Sequence, residues 1–266
     1  MRARSFAMAL VLAPASLAGL PGCGTPGATE AREAVASTDV TDADRRAKAR
    51  LELASAYYAR GQLETALDEV KLAMHAKPDL VEAHNLRGLI YAGLGDTALA
   101  DSSFRRALQL QPRDADALHN YGWFLCQQQQ FKDAIAQFDA ALTVPQYRAT
   151  SRTLAAKGLC QAQAGQWLEA EGSLMRSYEL DAGNPATAMN LAEVLYRRAD
   201  FERARFYVGR VNSRPESTNA QSLWLAARIE NKLGNLARVS EFGEQLKSRF
   251  PRAPEAQLYE RRRFDE

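Results

Sequence analysis

The 266-residue sequence is poor in the side chains that most often carry chemistry, with three His and three Cys. His75, His84 and His119 stand at unrelated places. No His-Glu-x-x-His, no Gly-x-Ser-x-Gly and no phosphate-cradling glycine loop accompanies them. Metalloprotease, serine-hydrolase and nucleotide-binding chemistry are therefore excluded, and the chain reads as a non-enzyme with no metal, no cofactor and no small-molecule substrate. An excess of one charge is also missing. The formal net charge is +2 and the basic residues are interspersed with acids, so nucleic acid is not an expected partner. The triplet Arg261-Arg262-Arg263 is flanked by Glu260 and Asp265-Glu266 and reads as a solvated tail. Nor is there an apolar run of the ~20 residues that span a bilayer as a helix, since the stretch from Phe6 to Leu20 reaches only about 15. Aromatics make up 8% of the chain, whereas Ala, Leu, Glu, Gln and Arg dominate, a balance that predicts an almost wholly helical protein.

That first apolar run follows Arg2 and Arg4 and leads into Pro21-Gly22-Cys23, the layout of a secretory signal over residues 1–22. Leu20 to Cys23 resembles the bacterial lipobox, which makes Cys23 the lipidated first residue of the mature chain; an ordinary signal peptide with an incidental Cys23 is the alternative. Gly24 resembles the residue after the lipid in lipoproteins sent to the outer membrane. Residues 23–40 are small, polar and aperiodic and predict a flexible tether, with ordered helix starting after Thr41-Asp42-Ala43-Asp44.

Beyond residue 41 the chain repeats. Pro78 and Pro112 stand 34 residues apart. Gly88, Tyr91, Gly95, Ala100, Phe104, Ala107 and Pro112 in one unit answer Leu53-Ala54, Tyr57, Gly61, Ala66, Val70, Ala73 and Pro78 in the unit before it. This is the period and pattern of tetratricopeptide repeats. Six units follow, near 47–80, 81–114, 115–148, 151–184, 185–218 and 220–253, with a short insertion after the third and a degenerate sixth. The expected fold is an all-α solenoid of helical hairpins in a right-handed superhelix over 41–266, its concave groove lined by the first helix of each pair.

Helical spacing places positions 2, 5, 9, 12 and 13 of each unit on the exposed face of the first helix, the face that in tetratricopeptide repeats points into the groove. In the first three units these include Leu51, Tyr58, Asn85, Leu89, His119, Trp123, Cys126 and Gln127; the fourth and fifth offer Ala155, Leu159, Met189, Glu193 and Tyr196. Tyr58, Leu89 and Trp123 form an apolar stripe that marks either a partner surface or a face covered by another segment of the chain. Cys126 and Cys160 fall on the first helices of consecutive units, where they are either a disulfide or two half-buried thiols.

The lipobox, the tether, the six repeats and above all His119-Asn120-Tyr121-Gly122-Trp123-Phe124-Leu125-Cys126, together with Lys157-Gly158-Leu159-Cys160 and Arg249-Phe250-Pro251, resemble the type IV pilus biogenesis and stability lipoproteins PilF and PilW. The resemblance implies an outer-membrane lipoprotein on the periplasmic face that binds the pilus secretin and promotes its localisation and multimerisation. A general cell-envelope assembly adaptor with no pilus role is the alternative. Arg87, where the repeat pattern prefers an apolar side chain, departs from generic repeats.

Overall fold

The computed structural model describes residues 28–265, with side chains from Asp42 onward. The expected signal peptide and Cys23 lie outside the described residues. By internal contacts the chain divides into Met1–Asp44 and Arg45–Glu266. All the described residues of the first unit are helical, which corrects the expected tether over 23–40 from Ala28 onward: helix α1 runs Ala28–Ala59. The physical reason is composition. Pro26 and Gly27 stand just ahead of the helix, and from Ala28 to Val40 there is neither Pro nor Gly but a run rich in Ala and Glu.

The second unit is helix throughout, joined by short turns, with no strand among the described residues. After α1 come α2 (Leu63–Ala76), α3 (Val81–Leu94), α4 (Thr97–Leu110), α5 (Ala115–Gln127), α6 (Phe131–Leu142), α7 (Thr150–Gln163), α8 (Trp167–Leu180), α9 (Pro185–Arg197), α10 (Phe201–Asn212), α11 (Ala220–Lys232), α12 (Leu236–Arg249) and α13 (Pro254–Glu260). Consecutive helices pair as hairpins, and the first helices of successive hairpins touch one another: α3 with α5, α5 with α7, α7 with α9 and α9 with α11. This is the tetratricopeptide solenoid. Asp96, Asp114, Asn184, Asp200, Asn219 and Asn235 each precede a helix and accept a hydrogen bond from a backbone N–H of its first turn, the reason these short polar residues punctuate the chain. Inside four hairpins the turn is a glycine with positive φ, as at Gly95 (83°), but the third and fifth use Gln129 (60°) and Ala199 (61°), also in the left-handed region.

The hairpins close because a small residue on the first helix admits a large one from the second. A Cβ on Gly88 would sit 2.7 Å from the Phe104 ring, and one on Gly158 would sit 2.6 Å from Leu174. Ala66, Ala100, Ala134, Ala170 and Ala204 are fully buried at the matching place on the second helix of the first five hairpins. Counted from the helix starts, the large residue is Val70, Phe104, Phe138, Leu174 and Val208 in the first five units, all buried. The sixth unit, expected to be degenerate, forms a complete hairpin in which that same place is Gly243. The missing volume is supplied from outside the hairpin: α13 packs on α11 and α12, and a Cβ on Gly243 would fall 1.8 Å from the Tyr259 ring.

Where α6 meets α7 the repeat carries its insertion, and here the structure joins Cys126 of α5 to Cys160 of α7 by a disulfide with Cα atoms 5.8 Å apart. Both residues are buried. The bond closes a loop of sequence separation 34, and on chain-entropy grounds such a loop constrains the unfolded chain by about 4 kcal/mol.

Two outcomes follow from this packing. Gly243→Leu, which restores the repeat's usual side chain, should expel Tyr259 and cost about 1–3 kcal/mol in overpacking; urea denaturation together with limited proteolysis ahead of Pro254 would register it, and unchanged protection would refute the assigned contact. Cys160→Ser should lower the urea midpoint by an amount worth about 2–4 kcal/mol relative to the oxidised chain, and reductant should reproduce that loss in the wild type but not in the variant.

Candidate functional site

The groove face is built by the first helices, and the structure sorts the expected groove residues into three kinds. Leu51, Tyr58 and Leu89 are half-buried against the core formed by Ala54, Ala66, Val70, Ala83, Leu86 and Ile90. Leu89 also packs on the next core, around Phe104, Tyr121, Phe124 and Phe138, and Trp123 sits on that second core as well. The apolar stripe is thus a set of side chains rooted in two adjoining cores. Beside it Asn120 donates through Nδ2 to Oδ1 of Asn85 at 3.2 Å, a polar tie between α5 and α3. Gln127 ends α5 and is exposed, while Cys126 is taken up by the disulfide.

His119 is a correction. It was expected in the groove, yet it is only 7% exposed. Its Nδ1 lies 2.8 Å from Oγ1 of Thr153 on α7 and its ring meets Phe138 edge-on. Tyr147, from the insertion before α7, brings its hydroxyl to the same Thr153 Oγ1 at 2.9 Å. The insertion therefore adds an aromatic hydroxyl to the third and fourth units, a consequence that helical spacing within one unit does not contain. Burial, reinforced by the nearby Arg152 charge, holds the His119 imidazole down at about 4, so it is neutral at pH 7.

The half-buried Arg87 and the buried His84 form a second polar chain, marked in the sequence by the departure of Arg87 from the repeat pattern. His84 Nε2 is 2.8 Å from the Pro78 carbonyl and must donate to it, which leaves Nδ1 to accept from Arg87 Nη2 at 3.4 Å. Arg87 Nε donates to Ser103 Oγ at 3.0 Å, and that hydroxyl donates to the Leu99 carbonyl. Arg87 replaces an apolar residue because its donors link α3 to α4 through a serine. Burial keeps the His84 imidazole below its ordinary value, with the Pro78 bond working against that.

At the far end, α11 supplies Trp224, Arg228 and Lys232, which counting from Ala220 places at positions 5, 9 and 13. Arg228 is 8% exposed, stacked 4.4 Å over the Tyr196 ring with a Glu193 carboxylate oxygen 4.0 Å away. Met189, Asn190 and Glu193 of α9 and Gln221, Trp224, Leu225 and Arg228 of α11, with Glu255, line a cleft of about 290 Å³. The expected solvated tail is corrected in part. Arg261 to Arg263 are exposed, but Phe264 stacks on Trp224 at 5.3 Å, its carbonyl accepts from Arg228 Nε at 3.1 Å, and Asp265 pairs with Lys232 at 2.7 Å. A lone aromatic between charges was the signal for this contact. Among the described residues no cluster of His, Cys, Asp and Glu is placed to hold a metal ion.

Both buried imidazoles make stability fall with acid. An imidazole whose folded pKa lies below its unfolded value takes up a proton first in the unfolded chain, so stability is full above the unfolded value near 6.5 and is lost as the pH falls toward the folded value. For His119 the window runs from about 6.5 to about 4 and the loss approaches about 3 kcal/mol. Urea denaturation at pH 7.0 and 4.5 should show this loss in the wild type and a smaller one in His119→Gln; equal pH dependence in both would remove His119 as its source.

The comparisons agree with this architecture. Tetratricopeptide-repeat models match residues 81–114 and 103–136. The type IV pilus assembly protein PilF of Pseudomonas aeruginosa is 28% identical over 242 residues, 91% of this chain and 94% of that protein. The P. aeruginosa PilF structure superposes with a TM-score of 0.74 at 26% identity, covering 83% of this chain and 99% of that one. The crystal structure of PilW, described as a widely conserved type IV pilus biogenesis factor, does so with a TM-score of 0.74 at 31% identity, covering 80% and 97%. With 31% identity to PilW over nearly all of that chain and a whole-length likeness to PilF, the chain belongs to the PilF/PilW family of tetratricopeptide-repeat proteins.

Proposed function

We propose that the protein serves type IV pilus biogenesis as an outer-membrane lipoprotein scaffold, lipidated at Cys23, which binds the pilus secretin in the N-terminal half of its groove and promotes secretin localisation and multimerisation. The work is done by binding rather than by catalysis. The whole-length likeness to PilF and PilW supports the pilus role. The observation that carries the site is the half-buried stripe of Leu51, Tyr58, Leu89 and Trp123, anchored in two neighbouring cores. Side chains held this way lose little rotamer freedom when a partner covers their exposed half, the physical condition for an interface hot spot. Asn85 and Asn120 supply amide groups beside the stripe to orient a bound backbone.

Lipid and groove have complementary roles in this reading. Fixing the scaffold to the membrane concentrates any secretin segment it holds at that surface, an effective-concentration gain that needs no additional contact. The test is secretin multimer abundance in outer-membrane fractions from the wild type, a deletion and a Cys23→Ser strain. Loss in the deletion with scarce or misplaced multimers in Cys23→Ser is the expected result; normal multimers in both would overturn the pilotin role and favour another envelope partner. In vitro, Trp123→Ala should weaken secretin capture by an amount worth about 2 kcal/mol or more, roughly thirtyfold, with the helical circular-dichroism signal retained. Undiminished capture by the folded variant would take Trp123 out of the site.

A further inference from the structure

The last two repeats carry a second recognition surface, independent of the stripe at the other end. Its parts are fixed by the fold. Trp224 turns a ring face to Phe264, Arg228 is clamped by the Tyr196 ring and Glu193 with Nε directed to the Phe264 carbonyl, and Lys232 is one further turn along α11. Each of the three is occupied by a segment of this same chain that supplies the complementary group: a stacked ring and a backbone carbonyl from Phe264, and a carboxylate from Asp265. The neighbouring cleft between α9 and α11, with apolar Met189 and Leu225 and polar Asn190 and Gln221, adjoins Trp224 and Arg228 and extends the surface beyond the segment that sits there.

We propose that this concave surface of the fifth and sixth repeats is a binding site for a partner protein segment bearing an aromatic residue followed by an acidic one, and that Phe264-Asp265 is its resident occupant, displaced when the partner binds. Stacking selects the ring, the Arg228 donor reads the backbone carbonyl, and Lys232 selects the acid. The Asp265 side chain is 84% exposed, and an ion pair in water holds little, so the segment is held by the Phe264 stack and the Arg228 bond together with the high local concentration its tether gives it.

Fluorescence anisotropy with a labelled peptide of the sequence Arg261–Asp265, added to the full chain, tests this, with a control peptide in which Phe and Asp become Ala and Asn. A Phe264→Ala, Asp265→Asn chain should bind the peptide about tenfold more tightly than the wild type, whose site is available only in the fraction with the segment released, and the control peptide should not bind. Adding Lys232→Glu should abolish that binding and create binding to a peptide with Lys in place of Asp. If the double variant loses helical signal, Asp265→Lys alone serves, since it opens the site while keeping the ring. Equal affinity of wild-type and segment-released chains, equal binding of the control peptide, or indifference to Lys232→Glu would each show the contact to be a structural cap only and overturn the proposal. Binding that accompanies dimerisation in light scattering would assign the surface to a second copy and overturn it equally. None of these results bears on secretin capture by the first three repeats.

Discussion

The first five hairpins of the solenoid rest on one steric relation, a side chain of hydrogen or methyl size on the first helix facing a large apolar one from the second, and in the sixth Tyr259 of α13 supplies the large group. At Gly88, Gly122 and Gly158 there is no room for a Cβ without displacing Phe104, Phe138 or Leu174. The relation fixes the distance between the two helix axes, because the backbone itself is the surface against which the ring or leucine packs. Once that distance is set, the outer faces of the first helices align from unit to unit and the groove is a by-product of their alignment. The stripe from Leu51 to Trp123 and the surface from Trp224 to Lys232 are two stretches of that same face.

The relation also explains which parts were legible in the sequence. Period and register could be counted from Pro78, Pro112 and the alanines because each hairpin pays the same geometric debt. The sixth unit looked degenerate because Gly243 stands where a bulky side chain belongs, and nothing local announces that Tyr259, sixteen positions on, fills the gap. His119 was misplaced for a related reason. Helical spacing assigns a face of one helix, but burial on that face depends on the next unit and on an insertion whose Tyr147 meets the same hydroxyl. The helix from Ala28 follows from the absence of Pro and Gly up to Val40, which outweighs the polarity and small size of those residues.

The polar residues of the first helices divide by depth. His84 and His119 are buried and Arg87 is half-buried, and each reaches a partner outside its own helix, at Pro78, Thr153 and Ser103 respectively. Such bonds cost desolvation and return directionality, so they fix the rotation of one helix against another where apolar contacts alone would tolerate sliding. Asn85 and Asn120 make the same kind of tie at the rim, where one amide on each still has capacity to meet a ligand.

A stack in which each unit touches only its neighbours stretches like a chain of links in series, and its weakest junction sets how far it yields under tension. The covalent bond between Cys126 and Cys160 removes one junction from that competition. A pull along the array is then borne by the noncovalent junctions on either side of it, which part and re-form separately, while the middle of the protein keeps its length. Under such a load the centre is a rigid spacer between two compliant arms.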